Sequence, residues 1–135
     1  MARGGDGLRE ATRGLGPGMM LKTTEIAAIV QEIAPALVGG WIQKVFQPLS
    51  EVLVLEIRTP GQTHRLLCSV NPMTARLHLI RRPLPNPLRP PAFCQLLRAR
   101  VQGARLDAIE QVPGDRILRL RLSTGLGPAL LLAEL

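Results

Sequence analysis

Residues 37–48, LVGGWIQKVFQP, have the pattern of a chain that leaves a helix and enters a strand. Before this stretch, apolar residues recur at helical spacing from Thr23, a predicted N-cap, and the glycine pair predicts the end of the helix. After it, residues 41–46 and 52–58 have the composition and spacing of two hairpin strands. The sequence therefore predicts a helix that leads directly into a hairpin.

The same pattern occurs a second time, 64 residues later, in the stretch VQGARLDAIEQV at residues 101–112. This shift aligns Gly39 with Gly103 and Gln47 with Gln111, and after one inserted residue the second strands also align. Coincidence between two generic amphipathic patterns is the alternative, but the shared glycine and glutamine favour a repeat. We predict an α+β fold in which two helix-hairpin repeats form one antiparallel, sandwich-like layered sheet.

Proline and glycine place the remaining elements. Five of the nine residues at 83–91 are proline, which predicts an extended connection before a second helix that begins at Pro91. Glycine-rich residues 1–20 are predicted to be a flexible tail, which leaves residues 21–135 as one domain. Further strands are predicted at residues 64–70, 76–80, 105–111, 117–122 and 129–135. The translation start has three candidates, Met1, Met19 and Met20.

The charge of the chain is strongly positive, with 17 Lys and Arg against 10 Asp and Glu and a net charge of +7. Residues 57–106 contain nine arginines and neither Asp nor Glu. Two alternatives would also explain the charge: high-GC codon usage, which favours arginine, and a basic face that is merely solvated. A cationic surface without acidic neighbours favours a polyanionic partner, and phosphate backbones are the commonest one in cells.

Several classes of protein are disfavoured by the same composition. No apolar run approaches the roughly 18 residues that cross a bilayer, which excludes an integral membrane protein. The first residues lack the apolar region of a secretory signal, so we expect a cytoplasmic protein with no membrane partner. Cys68 and Cys94 lie among apolar residues and are predicted to be core residues in a reducing compartment. With only His64 and His78 as further ligands, no metal site is predicted.

Residues 113–116, PGDR, occupy the turn of the second hairpin, where the inserted residue falls. Proline in second and glycine in third position predict a type II turn that presents Asp115 and Arg116 at a hairpin tip. A carboxylate and a guanidinium side by side can accept from and donate to a ligand such as a ribose-phosphate. The spacing alone slightly favours the alternative, in which the pair serves only the turn.

Four stretches of the chain occur in an order and at a spacing typical of one family. They are LVGGWIQKVFQP at residues 37–48, NPMTARLHL at 71–79, PAFCQLLR at 91–98, and IEQ with GDR at 109–111 and 114–116. Together they resemble the start of the NFACT family, once called fibronectin-binding protein A, over residues 21–135. That family includes the bacterial ribosome quality control factor and its eukaryotic counterpart.

The resemblance implies a cytoplasmic protein that binds obstructed large ribosomal subunits carrying peptidyl-tRNA. It would recruit alanyl-tRNA there, so that the stalled chain gains a C-terminal alanine tail. The ribosome would supply the chemistry, so neither enzymatic activity nor a cofactor is expected, and we expect a monomer. The resemblance assigns a tRNA-binding role to Asp115 and Arg116. Candidate contacts to the RNA backbone are Arg76, Arg81, Arg82, Arg98 and Arg100, of which Arg76 and Arg98 could equally pack against the core.

Two alternatives to this function stay open. The family's N-terminal domain also resembles the N-terminal lobe of formamidopyrimidine-DNA glycosylases, so a glycosylase-like domain that binds nucleic acid is the first. Those enzymes use an N-terminal proline as nucleophile, whereas Ala2 follows Met1 and Leu21 follows Met20 here, so no glycosylase activity is predicted. Family members continue beyond this length, so we expect the domain to be incomplete at its C-terminus. A structural fragment with no independent activity is the second alternative.

Overall fold

The computed structural model describes residues 22–73 and 75–135, and the predicted tail at residues 1–20 lies outside this range. Helix α1 (Thr23–Leu37) has Lys22 as its N-cap. The Glu25 carboxylate accepts a hydrogen bond from the Lys22 backbone N–H at 2.9 Å, as the glutamate of a capping box does. The prediction of Thr23 as the N-cap is therefore wrong by one residue.

The two helices in the described residues each bury one apolar stripe. Helix α1 buries Ile26, Ile33 and Leu37. Helix α2 (Ala92–Val101) follows Pro91, whose fixed φ suits the start of a helix. Its buried residues are Cys94, Leu97 and Val101. Neither of these helices is long and apolar enough to cross a membrane.

The strands of the described chain are β1 (Trp41–Leu49), β2 (Val52–Thr59), β3 (Gln62–Ser69), β4 (Arg76–Ile80), β5 (Arg105–Gln111), β6 (Ile117–Thr124) and β7 (Gly127–Glu134). They form one sheet in the order β4-β3-β2-β1-β5-β6-β7, in which every neighbouring pair is antiparallel. The α+β class and the antiparallel sheet are confirmed. The internal repeat, the sandwich-like layering and the likeness to the glycosylase lobe stay predictions.

Strand β1 runs three residues further than the sequence predicts. Its register with β2 shifts between Phe46 and Leu49, around Pro48, which has no N–H to donate to the ladder. A bulge accommodates this missing donor, and the strand continues beyond it. The turn that follows is consequently confined to Ser50 and Glu51.

The two halves of the sheet meet where β1 and β5 begin, with Trp41 opposite Arg105. Gly39 and Gly103 have φ values of +91° and +89°, a conformation that side-chain-bearing residues rarely adopt. Helix α1 packs against β5 and helix α2 packs against β1, so each helix covers a strand of the other half. Four backbone hydrogen bonds close the junction, from Gly39 N–H to Leu106 O, Leu106 N–H to Gly40 O, Ile42 N–H to Ala104 O and Gly103 N–H to Ile42 O.

One hydrophobic core takes residues from both halves. Leu37 and Ile42 in the first half and Leu106 in the second are all 0 % exposed. Since the same core is filled from both sides, removal of apolar surface from water stabilises the two halves jointly. This shared core holds the hairpin that carries the candidate site against the rest of the molecule.

The proline-rich connection contains no helix or strand between residues 83 and 91, as predicted. Leu84 anchors it, because its side chain is 7 % exposed and packs in a second, smaller cluster with Val52, Val54 and Leu67. This packing keeps the connection against the outer strands of the first half. Its arginine neighbours, Arg81 and Arg82, are exposed.

Candidate nucleic-acid interface

The turn between β5 and β6 has the geometry that its sequence predicts. The Asp115 backbone N–H donates to the Val112 carbonyl at 3.0 Å, which closes a four-residue turn around Pro113 and Gly114. Gly114 has φ +72°, the value that a type II turn requires at its third position. Proline excludes a positive φ at the second position, so the type II assignment is confirmed.

Asp115 and Arg116 lie together at this tip. The Asp115 side chain is exposed, and its Oδ1 accepts a hydrogen bond from the Arg116 backbone N–H at 2.7 Å. One carboxylate oxygen is thus used within the turn, which is what the turn-only alternative expects. Arg116 is half-buried. Its carbonyl accepts from the Leu135 N–H at 2.8 Å, so Leu135 borders the tip.

Gln111 supports the tip from the other side. Its side-chain Nε2 donates to the Asp115 carbonyl at 2.7 Å and to the Thr23 carbonyl at 2.9 Å. The second bond links the tip to the first turn of helix α1. The sequence identifies Gln111 as a counterpart of Gln47 and as part of the family-like stretch at residues 109–111, and these two signals could have marked it as a site residue.

Two of the five candidate backbone arginines contribute to the fold. Arg76 is only 8 % exposed, and burial lowers the pKa of its guanidinium against the opposing effect of Glu25. Arg98 donates from Nε to the Val45 carbonyl at 2.9 Å, and its guanidinium lies 5.6 Å from the centre of the Phe46 ring. Both arginines fit the alternative in which they pack against the core.

The other three candidates, Arg81, Arg82 and Arg100, are exposed. Exposed guanidinium groups attract phosphate at long range and at little desolvation cost, whereas a buried one must first be uncovered. The structure therefore divides the five arginines into two buried or half-buried ones and three that a polyanion can reach.

The long acid-free stretch of the sequence is not an acid-free surface. Antiparallel pairing places Glu56, just outside that stretch, opposite Arg65, and Arg65 Nε lies 3.2 Å from a Glu56 carboxylate oxygen. Arg105 likewise lies 3.8 Å from Asp107. The positive charge is therefore partly neutralised by acids just outside the stretch, across strands at Arg65 and within strand β5 at Arg105.

The two cysteines have the environments of core residues. Both are free thiols, and burial raises the pKa of Cys68 to about 12, which keeps it protonated at neutral pH. Cys94 is buried and lies 3.4 Å from the Val45 carbonyl. Within residues 22–73 and 75–135, no group of three or more His, Cys, Asp or Glu side chains is placed to hold a metal ion.

An apolar groove of about 320 Å³ lies between the two halves of the sheet. Leucines such as Leu55 and Leu120 line it, and the charged residues on its wall, Glu51 and Glu134, are acidic. Phosphate would find no cationic partner there and would be repelled by the carboxylates. The candidate nucleic-acid interface is therefore the Asp115-Arg116 tip, with the exposed arginines as accessory groups.

Comparisons with known proteins give one consistent result. Residues 23–132 match the family model described as NFACT N-terminal and middle domains. The protein named Rqc2 homolog RqcH from Streptococcus pneumoniae strain D39 is 44% identical over 95 residues, which are 70% of this chain and 17% of that protein. Its namesake from Bacillus subtilis is 36% identical over 90 residues, covering 67% and 16%. The chain thus spans less than a fifth of these relatives.

Solved structures agree with the sequence relatives. The N-terminal domain of fibronectin-binding protein PavA from Streptococcus pneumoniae superposes with a TM-score of 0.76 at 40% identity, over 82% of this chain and 43% of that one. The N-terminal part of the fibronectin/fibrinogen-binding protein from Streptococcus suis gives 0.75 at 35% identity, with the same coverage. The family model, the curated relatives and the solved structures together show that this chain belongs to the NFACT family.

Proposed function

We propose that this domain is a tRNA-binding and ribosome-binding module of a ribosome quality control factor. In this proposal it binds stalled large ribosomal subunits that carry peptidyl-tRNA and helps to recruit alanyl-tRNA for C-terminal tailing of the nascent chain. Membership of the NFACT family and the name RqcH of its relatives support the proposal. The observation that carries it is the Asp115-Arg116 tip on a turn whose backbone is hydrogen-bonded on both sides.

The chemistry of the tip suits a ribose-phosphate backbone. A guanidinium donates in a planar fork to phosphate oxygens, and a carboxylate oxygen accepts from a ribose hydroxyl, which DNA lacks at the 2′ position. Asp115 Oδ1 serves the turn, and a carboxylate retains further acceptor capacity. Arg81, Arg82 and Arg100 would add attraction that does not depend on nucleotide sequence.

No step of peptide chemistry is assigned to residues of this chain. The proposed roles are to bind and orient tRNA, while the ribosome joins the amino acids. We accordingly propose a non-enzymatic, cytoplasmic protein without a cofactor. The glycosylase-like and purely structural alternatives serve as outcomes of the test.

The test measures retention of labelled tRNA and of a duplex DNA of similar length on filters, over a range of salt concentrations. We expect tRNA to bind more tightly than DNA, with an affinity that falls steeply as salt rises. Arg116→Ala should weaken tRNA binding by at least about tenfold, because a charged hydrogen bond contributes roughly 1.5 to 3 kcal/mol. Arg58→Ala is the control, since it removes the same charge from an exposed position on strand β2 and should change the affinity less than about twofold.

The result that overturns the proposal is equal binding of tRNA and DNA with no effect of Arg116→Ala. Borohydride trapping of the chain on damaged DNA would instead support the glycosylase-like alternative. No RNA binding at physiological salt would support the structural one.

A further inference from the structure

Gln111 uses both N–H groups of its side-chain amide on partners from different parts of the chain. One donates to the carbonyl of Asp115, four residues away, at 2.7 Å. The other donates to the carbonyl of Thr23, 88 residues away, at 2.9 Å. A single half-buried side chain thus holds the tip against the first residue of helix α1.

Gln47 lies at the corresponding place in the first half and donates fewer hydrogen bonds than Gln111. Its Nε2 donates to the carbonyl of Ser50 at 2.9 Å, which closes its own turn. Its buried Oε1 has no hydrogen-bond partner in the described residues. The first glutamine therefore stabilises a turn, whereas Gln111 stabilises a turn and also fixes where that turn lies relative to a helix.

The Asp115 carbonyl belongs to the peptide bond between Asp115 and Arg116, so its position affects where both side chains lie. Asp115 Oδ1 is held by the Arg116 N–H, and the Arg116 carbonyl is held by the Leu135 N–H. With Gln111 on one side and Leu135 on the other, the backbone of both residues is fixed before any ligand arrives. Side chains on a fixed backbone lose less conformational entropy on binding than side chains on a mobile one.

We propose that Gln111 is the positioning residue of the Asp115-Arg116 pair, which it holds in place for contact with tRNA. This inference rests on the function proposed above. Gln111 itself does not touch the tRNA. It acts through the backbone of Asp115, so its loss should matter only while the pair is intact.

The test combines binding, stability and hydrogen exchange on the 135-residue chain. Gln111→Leu and Gln111→Met each remove both N–H donors. Leucine is similar in size to glutamine and methionine is unbranched like it, so one variant serves if the other fails to fold. We expect tRNA affinity to fall about fivefold for the folded variant, and to fall less than twofold when Gln111→Leu is added to Arg116→Ala. Exchange of the Asp115 amide, which stays bonded to Val112, should quicken at least tenfold.

Gln47→Leu is the matched control. It should leave tRNA affinity within twofold of the unmodified chain, because its turn carries no Asp-Arg pair. A purely structural role for Gln111 would lower tRNA affinity equally with and without Arg116. Either that additivity or an unchanged affinity of folded Gln111→Leu overturns the inference.

Failure of the inference and failure of the proposed function give different results. If Arg116→Ala leaves tRNA binding unchanged, the function proposed for the tip fails, and the positioning role in tRNA binding fails with it. If Arg116→Ala weakens binding but Gln111→Leu does not, the function stands and the positioning role alone is wrong. The exchange rate of the Asp115 amide then reports whether Gln111 orders the tip at all.

Discussion

The first half of the molecule, residues 23–80, and the second half, residues 92–134, join at backbone positions that correspond. Gly39 N–H donates to Leu106 O, and 64 residues later Gly103 N–H donates to Ile42 O. Ladder irregularities also correspond, since they lie between Ile42 and Lys44 in β1 and between Leu106 and Ala108 in β5.

The halves differ most at the turn that follows. The first half turns on two residues, Ser50 and Glu51, whereas the second turns on residues 112–116 and presents Asp115 and Arg116. The two halves agree at the sheet junction, because its hydrogen bonds and the shared core require the same backbone path on both sides. They differ at the hairpin tip, where Asp115 is exposed and lies outside that core.

The largest expected effect is a loss of stability when the shared core is disrupted. Ile42→Ala and Leu106→Ala remove corresponding side chains that are both 0 % exposed, and each should lower the free energy of unfolding by about 3 to 4 kcal/mol. Urea denaturation followed by circular dichroism should show one transition in both variants. Leu130→Ala, at a side chain that is 56 % exposed, is the control and should cost under about 1 kcal/mol. Two separate transitions would mean that the halves unfold independently.

The second prediction concerns a pair of corresponding junction positions that differ in residue type, Gly40 and Ala104. A Cβ on Gly40 would lie 2.7 Å from Ile57 Cγ2 and 2.9 Å from the Arg58 carbonyl, so Gly40→Ala should cost about 2 to 3 kcal/mol by overpacking. Its counterpart is already alanine, and Ala104→Gly should cost only about 1 kcal/mol through backbone entropy and a lost methyl group. Urea midpoints measure both effects. An equal cost at the two positions would contradict the asymmetry.

The third prediction separates an arginine of the fold from an exposed one on the same helix. Arg98→Ala removes a hydrogen bond to Val45 and a contact with the Phe46 ring, and should lower stability by about 1 to 2 kcal/mol. Arg100→Ala should change stability by less than about 0.5 kcal/mol and weaken tRNA binding modestly. Thermal melts and filter binding measure the two effects. The opposite pattern, with stability lost at Arg100, would reverse the assignment.

The smallest effect is expected on the exposed face of the second half. Hydrogen bonds from Arg121 lower the pKa of Glu110, with a further contribution from Arg119. A carboxyl whose pKa is lower in the folded state adds stability above its unfolded pKa of about 4.3, and this stability is lost as pH falls through the folded value. Glu110→Gln should therefore be slightly less stable than the unmodified chain at pH 7 and equal to it at about pH 2.

Urea midpoints at the two pH values check this, and 1 M salt should shrink the difference at pH 7. Glu56→Gln is the comparison in the first half. Among the ion pairs of the described residues, Glu56 takes part in one, with Arg65. A difference at Glu110 that persists at about pH 2 would show that its charge is not the cause.

Most elements of the fold follow from local patterns. Strands β4 and β5 have the bounds that the sequence predicts, because alternation and flanking turn residues are local signals. The type II turn also follows from sequence, since proline and glycine limit φ directly. Strand β1 is longer than predicted because proline can occupy a bulge, and bulges depend on the pairing partner.

The site is only partly predictable for the same reason. The Asp115-Arg116 tip is local and was found in the sequence. The burial of Arg76 to 8 % exposure and the bond from Arg98 to Val45 depend on where distant strands pack. So does the link from Gln111 to Thr23. No periodicity within one segment reports contacts of this kind.

Local sequence patterns specify the order of helices and strands, the glycines of the junction and the residues at the hairpin tip. These depend on backbone φ, side-chain alternation and turn chemistry, which act over a few neighbouring residues. Tertiary contacts determine which arginines face solvent, which cross-strand acid neutralises part of the basic stretch and which glutamine anchors the tip. Those depend on strand register and helix packing, which bring together residues that are tens of positions apart.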